Sequence, residues 1–401
     1  MTTLDQQGRP VEEPTNRPYD DEIADDLIDP ELAVDTHAED VYVASYGKLM
    51  WWRFRRHKMA LFSLVALIIL YLVAVFSEFV APYNPEQFFA QYKYAPPSGI
   101  HIRDTEGNFQ RPFVYKINRE RDPETLASTF VEDTAVIYPI RFFTTGTEYE
   151  MWGIWPMNLH LFGLDVDHDE QGVFLFGSDR LGRDVFSRTV YGARISLSIG
   201  LIGVFLTVIL GIMIGGISGY YGGWIDNVIQ RAIEFLRSIP SIPLWMGLSA
   251  ALPADWPIIR VYFGITVILA FLNWDGLARV VRGRFLSMRE EDFVMAARLV
   301  GSNEMRIIMR HMVPSFLSYI IANLTLAIPG IILAETGLSF LGLGLRAPAI
   351  SWGVLLQEAQ NVRSISLSPW VFLPGLAVIF AVLCFNFLGD GLRDAADPYA
   401  R

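Results

Sequence analysis

The stretch that decides the fold is Ile195–Ile225, ISLSIGLIGVFLTVILGIMIGGISGYYGGWI, 31 residues without one Asp, Glu, Lys or Arg. About 20 apolar residues at 1.5 Å rise each cross the hydrocarbon of a bilayer, so this run holds a whole membrane span. Working outward, the pattern recurs. Met59–Val80 predicts a first span of about 33 Å, with Glu78 at its far end. The third span is placed from about Asp226 to Ala254; Arg231, Glu234 and Arg237 stay outside the hydrocarbon, and Pro240 and Pro243 interrupt it. Val261–Val281 is the fourth span, Met312–Ala334 the fifth and Pro369–Gly389 the sixth. A re-entrant pair in place of spans three and four is the alternative.

Composition agrees. Of 401 residues, 52% are hydrophobic and 19% charged, with mean hydropathy +0.31. Soluble domains carry about 25% charge, which excludes a secreted disulfide scaffold, a coiled coil and a soluble Rossmann enzyme. The single cysteine, Cys384, excludes an intrachain disulfide and a cysteine-based metal cluster. The net charge of −11 is the property of one segment: residues 1–47 hold thirteen acids against Arg9 and Arg17. That tail reads as disordered, and its acidity does not point to nucleic acid. The first apolar stretch begins near Met59, so no cleavable signal peptide is read.

Sidedness follows from short basic flanks. Lys48, Arg53, Arg55, Arg56 and Lys58 precede span one, and Arg279 to Arg310 crowd the segment between spans four and five. The positive-inside rule then places both ends of the chain in the cytoplasm. It leaves residues 81–194 outside and residues 282–311 inside.

No power source is visible. The only Gly-Lys, Gly47-Lys48, precedes Leu49, so there is no P-loop for ATP. The confident spans hold no mid-membrane charge of the kind a proton relay uses. Asp275 and Glu335 read as interfacial carboxylates near span ends. No nucleophile motif or metal-ligand cluster lies in the membrane, so no catalytic residue, metal or cofactor is assigned.

The cytoplasmic segment 287–314, SMREEDFVMAARLVGSNEMRIIMRHMVP, carries the functional information. Ser287 and Glu290 form a capping box for a helix over Met288–Val300. Gly301 is its stop, Ser302 caps a second short helix, and Pro314 opens span five. Phe293, Ala297 and Val300 share one face, and Ala296 and Ala297 are small enough for close approach by a partner. A plain helix-turn-helix lying on the membrane fits the same pattern.

Ala296-Ala297, then Gly301, then His311-Met312-Val313-Pro314 resembles the EAA loop of ABC-importer permeases, with Met295 in the Glu place. The Arg310-to-Pro314 ending is similar to the dipeptide/oligopeptide branch, as is Gly177-Ser178-Asp179-Arg180-Leu181-Gly182-Arg183-Asp184 with Ser187-Arg188. Gly219–Trp224, Gly337–Gly344, Ser351-Trp352-Gly353 and Phe385–Asp394 also look like that branch's C-type permease subunit. The resemblance covers residues 45–82 and 175–398.

It implies an all-α polytopic membrane protein with six transmembrane helices, the type I importer fold; residues 83–175 depart from the family pattern and are read from their own sequence as a small β-containing extracytoplasmic insertion. The implied organisation is a tail (1–47), a basic flank with span one (48–82), the insertion (83–175) and a permease core (176–398) that includes the coupling loop 287–314. The implied function is ATP-driven, binding-protein-dependent import, with peptides as solute, in a bacterial or archaeal inner membrane. Implied partners are a second permease, two cytoplasmic ATPases that hold ATP and Mg, an extracytoplasmic binding protein and membrane lipid. Phe293, Ala296, Ala297, Arg298, Gly301, Arg310, His311 and Pro314 would couple to the ATPase. Nickel or another small solute is the alternative within the family; a self-sufficient secondary transporter is the alternative outside it.

Further features stand beside this reading. Gly211, Gly215 and Gly219 recur every four residues, a ridge either for the partner permease or for packing within the chain. By the same resemblance, Asp179, Arg180, Gly182, Arg183 and Asp184 would border the outer entrance. There Ser178 or Asp179 caps a short helix, Asp184 and Arg188 pair at i,i+4, and Arg180 and Arg183 reach headgroups or solute. In the insertion, Ile100–Arg103 and Phe109–Ile117 predict a hairpin around Asp104–Asn108, and Ala135–Thr144 another strand. Asp165–Glu170 departs from the calcium-loop pattern and reads as a solvated acidic loop. Pro329 sits mid-way along span five, as a static kink or a hinge.

Overall fold

The computed structural model describes residues 46–121, 128–164, 172–253 and 255–396. The expected disorder of the acidic tail and the loop Asp165–Glu170 lie outside them. The chain divides after Arg53. Before that point the described residues begin a helix, α1 (Tyr46–Arg56), in which Lys48 Nζ lies 4.8 Å from the centre of the Trp52 ring.

The larger unit starts with α2 (Lys58–Val75), which stops at Phe76 before a single further turn, α3 (Ser77–Val80). The insertion follows. β1 (His101–Arg103), β2 (Phe109–Arg121), β3 (Ser128–Met151) and β4 (Trp155–Leu164) form an antiparallel sheet in chain order. The first hairpin falls where the turn residues put it, with Asp104 Oδ1 accepting from Glu106 N and Asn108 N at 3.0 and 2.8 Å. β4 has no counterpart in the sequence reading.

The membrane part is built on α4 (Val185–Tyr221), 37 residues or about 55 Å. It packs along α7 (Ile258–Met288). The glycine ridge makes that contact: a Cβ on Gly215 would lie 2.3 Å from Ala278 O, and one on Gly219 2.7 Å from Arg282 O. Within the described chain the ridge therefore serves internal packing. α10 (Leu317–Phe340) and α13 (Leu373–Ala396) complete the bundle around Leu197, Ile199, Ile265, Leu269 and Ile332. Pro329 is buried inside α10.

Among the described residues, five helical segments are long and apolar enough to cross a membrane: α2, α4, α7, α10, and α13 with the turn Pro369–Phe372 before it. The expected third span is not one helix. α5 (Gly223–Ser238) and α6 (Ser241–Ala250) are separated at Ile239-Pro240, because a proline ring clashes with a continuing helix and removes a donor. They measure about 24 and 15 Å, each short of the hydrocarbon thickness.

Candidate functional site

The segment after α7 folds into an elbow. α7 runs through Met288, so Ser287 lies inside a helix and the expected capping box is absent; burial of Phe285 and Met288 carries the helix past it. The next helix, α8 (Asp292–Leu299), starts at Glu291 with no side-chain cap. Its Val294 is fully buried among Tyr220, Val281, Phe285, Ile307 and Met312, and Ala297 packs on the same cluster. Those two residues stand at i,i+3 and seat the helix. Phe293 and Val300, expected beside Ala297, point away. With Met295, Ala296 and Leu299 they form an exposed, mostly apolar outer face; Leu299 and Val300 are 87% and 85% exposed.

The end of α8 is as read. Gly301 has φ +77°, Gly301 N donates to Arg298 O at 2.9 Å, and Ser302 N donates to Ala297 O at 3.0 Å. That pair of bonds is a Schellman stop. The cap of the next turn, α9 (Glu304–Ile307), is Asn303 rather than Ser302; its side chain accepts from Met305 N at 3.1 Å. One turn of π-helix, Ile308–Met312, follows, with Val313 N bonded to Ile308 O. Pro314 has no N–H to continue the ladder, and α10 begins only at Leu317. Arg310 is exposed there and His311 half-buried.

The elbow is tied to the rest of the chain by polar contacts at the end of α4. Arg298 Nε donates to Tyr220 OH at 3.2 Å with its guanidinium 4.9 Å from the ring centre. Tyr221 OH donates to Glu304. Asp226 accepts from Ser218 and forms a two-pronged ion pair with Arg282.

At the opposite end of α4 the outer segment is a tight loop, and the expected short helix and the Asp184–Arg188 pair are both absent. Asp184 itself caps α4, accepting from Ser187 N at 2.7 Å and Ser187 Oγ at 2.6 Å. Asp179 takes the arginines: Arg183 Nε at 2.6 Å and Arg188 Nε at 3.9 Å. Arg188 also donates to Pro85 O, and Arg180 N donates to Glu358 Oε1 at 2.8 Å. Gly182, at φ +82°, lies against the backbone of Phe89; a Cβ there would stand 2.1 Å from its carbonyl oxygen. The cluster is thus a largely buried, hydrogen-bonded scaffold at the N-terminal end of α4, with Arg180 exposed and Asp184 Oδ1 and Arg188 Nε left without a hydrogen-bond partner among the described residues.

Residues 211–401 match the family model for the inner membrane component of binding-protein-dependent transport systems, and residues 45–97 match the N-terminal transmembrane domain of oligopeptide transport permease C. An oligopeptide transport system permease protein of Haemophilus influenzae is 40% identical over 232 residues, covering 58% of this chain and 72% of that protein. The chain belongs to the family of inner membrane components of binding-protein-dependent transport systems. A dipeptide transport system permease protein of Alkalihalophilus pseudofirmus is 42% identical over 224 residues, 56% of this chain and 71% of that one. An inward-facing form of the MetNI methionine ABC transporter is 17% identical with TM-score 0.41, covering 52% of this chain and 97% of that one, a likeness too weak to carry an argument.

Two intramembrane features of this transport component escaped the sequence reading. Glu335, read as an interfacial carboxylate near a span end, is fully buried against protein in α10. Ser339 and Ser351 each donate to its Oε1 at 2.8 Å, and Ser196 reaches its Oε2 at 3.5 Å. The same hydroxyls accept backbone N–H groups from Leu345, Val354 and Trp352. Asp275, in turn, pairs with Arg237 of α5. The second feature is a concavity of about 260 Å³ between α4, α7 and α10, lined by Thr207, Asn273 and Asn323 among apolar residues. A search for charges passes over such amides; an uncharged Asn within an apolar span was the available signal.

Proposed function

We propose that this chain is the C-type permease subunit of an ATP-driven peptide importer, and that α8 is the lever by which a cytoplasmic ATPase moves the spans. The observation that carries the reading is the divided surface of α8. Val294 and Ala297 lock it to α4 and α7, while Phe293, Met295, Ala296, Leu299 and Val300 leave a compact apolar face without a partner among the described residues. Exposed apolar patches of this kind mark docking surfaces. Arg298 braces the lever from the α4 side, and Gly301 stops it sharply. Arg310, His311 and Pro314 join it to α10.

In this reading ATP and Mg belong to two partner ATPases, a second permease completes the pathway, and an extracytoplasmic binding protein delivers solute. The peptide assignment rests on relatives whose names state oligopeptide or dipeptide transport. α5 and α6 together supply a sixth, broken crossing. Supporting this, Asp226 meets Arg282 near the end of α7, Arg237 meets Asp275 further back, and Ser249 and Leu252 line a concavity with Ile258 at its start. With six crossings and the basic flanks inside, both described ends face the cytoplasm. The concavity at Asn273 and Asn323 lies on the solute path, and the Asp179–Asp184 loop frames the outer entrance.

The test is uptake by the full complex in liposomes. Gly301→Pro, which cannot adopt φ +77°, and Ala297→Arg, which unseats α8, abolish uptake while leaving the subunit inserted. Normal uptake by both variants contradicts the proposal.

A further inference from the structure

The β3–β4 hairpin ends in an unusual turn, Met151-Trp152-Gly153-Ile154. Both central residues have positive φ, 53° at Trp152 and 70° at Gly153. Such positions ordinarily go to Gly, Asn or Asp, and a bulky side chain there is under strain. Phe143, on β3, has φ 54°. Only three non-glycine residues among those described show positive φ, and two of them are these aromatics. Strain of this sort persists where a side chain's placement has a use.

Both strained aromatics turn to the chain just beyond the first span. Trp152 Nε1 donates to Val75 O at 2.7 Å, the last residue of α2, and its ring lies 5.6 Å from that of Phe76. Phe143 lies 6.1 Å from Phe79. Yet neither is covered: Phe143 is 65% exposed and Ile154 67%, with Trp152 and Trp155 also open. α2 is 18 residues, about 27 Å, close to the thickness of the hydrocarbon. A group bonded to the last carbonyl of α2 therefore sits at the membrane surface. Beside it Arg194 donates to the carbonyls of Ala74 and Val75 and grips Glu78 at 2.6 Å, a polar layer suited to headgroups. Indole and phenyl rings at this height are the interfacial residues of membrane proteins.

We infer that the tip of the β3–β4 hairpin, with Trp152, Ile154, Trp155 and Phe143, is a lipid anchor that dips into the headgroup–acyl boundary at the C-terminal end of α2. The occupant of this face is the bilayer, because its height is set by a covalently continuous span. The anchor ties the sheet to the membrane, so that the insertion keeps one orientation over the outer end of the bundle.

The test uses the single cysteine to advantage. In a Cys384→Ser background, Ile154→Cys and, as control, Glu106→Cys at the other hairpin tip are labelled with an environment-sensitive fluorophore in the full transport complex. The complex is reconstituted in phosphatidylcholine vesicles with and without shallow nitroxide lipid. Emission from position 154 shifts to the blue and is quenched severalfold more than emission from position 106. Water-like emission at 154 overturns the inference. So does a blue shift that nitroxide lipid leaves unquenched, since that means cover by a protein. A second variant, Trp152→Ala, reduces the quenching at 154 by releasing the tip from Val75; unchanged quenching also counts against it.

Discussion

Glu335 shows how one residue orders a region that its charge alone makes expensive. A carboxylate inside a bundle costs several kcal/mol unless it is hydrogen-bonded, and here three hydroxyls from α4, α10 and the start of α11 (Trp352–Gln357) converge on it. Removal of the acceptor strands those hydroxyls in the dry interior. Glu335→Ala is expected to cost about 3 kcal/mol and Glu335→Gln clearly less, read as thermal unfolding of the purified protein. Equal losses would mean that packing, not the hydrogen bonds, is what matters. Asp184 makes a pH prediction. Burial pushes its carboxyl up to about 7, against the bonds from Ser187 and with Asp179 adding repulsion; its Oδ1 has no partner among the described residues. An unfolded Asp titrates near 4, so the folded state holds the proton more tightly. Stability is then highest below about pH 4 and falls by up to about 1.4 kcal/mol per pH unit until about pH 7. Asp184→Asn, still able to cap α4, removes that slope in unfolding measured across this range; an unaltered slope contradicts it. Neither residue was legible in this role. A run of letters shows that a carboxylate is near a span end, but the serines around Glu335 are 4, 16 and 139 residues away.

At the scale of elements, local rules held where the backbone itself is the constraint. Gly301 ends α8 in the left-handed region, and Pro240 breaks the third expected span, because both effects need only the residue concerned. Local rules failed where tertiary burial competes. The Ser287–Glu290 box was overridden by the packing of Phe285 and Met288, which extends α7 by two turns. The face of α8 was misassigned for the same reason: four apolar residues of α8, Phe293, Met295, Ala296 and Leu299, are outward, and only contact with α4 and α7 selects Val294 and Ala297 as the inner pair. Two substitutions separate conformational from packing demands. Gly301→Ala meets no atom within 4 Å and is expected to cost about 1–2 kcal/mol, purely for the left-handed backbone. Gly215→Ala must push its methyl against the Ala278 backbone, forcing α4 off α7, and should lower the unfolding temperature more. The reverse order would show that the ridge is looser than its distances imply.

For the whole molecule, the bundle, the outer sheet and the elbow divide the work by position. The family models match residues 45–97 and 211–401; the sheet lies in the stretch between them that neither model reaches. Hydrophobic runs read the bundle well, because span length is a property of the bilayer. They read the sheet only in part, since β3 and β4 are long, irregular and partly exposed on both faces. In the proposed function, partners grip α8 at the end of the bundle opposite the sheet. The most direct measurement is labelling of Leu299→Cys, in a Cys384→Ser background, with a membrane-impermeant maleimide in oriented vesicles. The account predicts labelling only where the cytoplasmic face is exposed, and protection when the ATPase subunits are bound. Labelling from the outer face, or labelling that bound ATPase leaves unchanged, would contradict it.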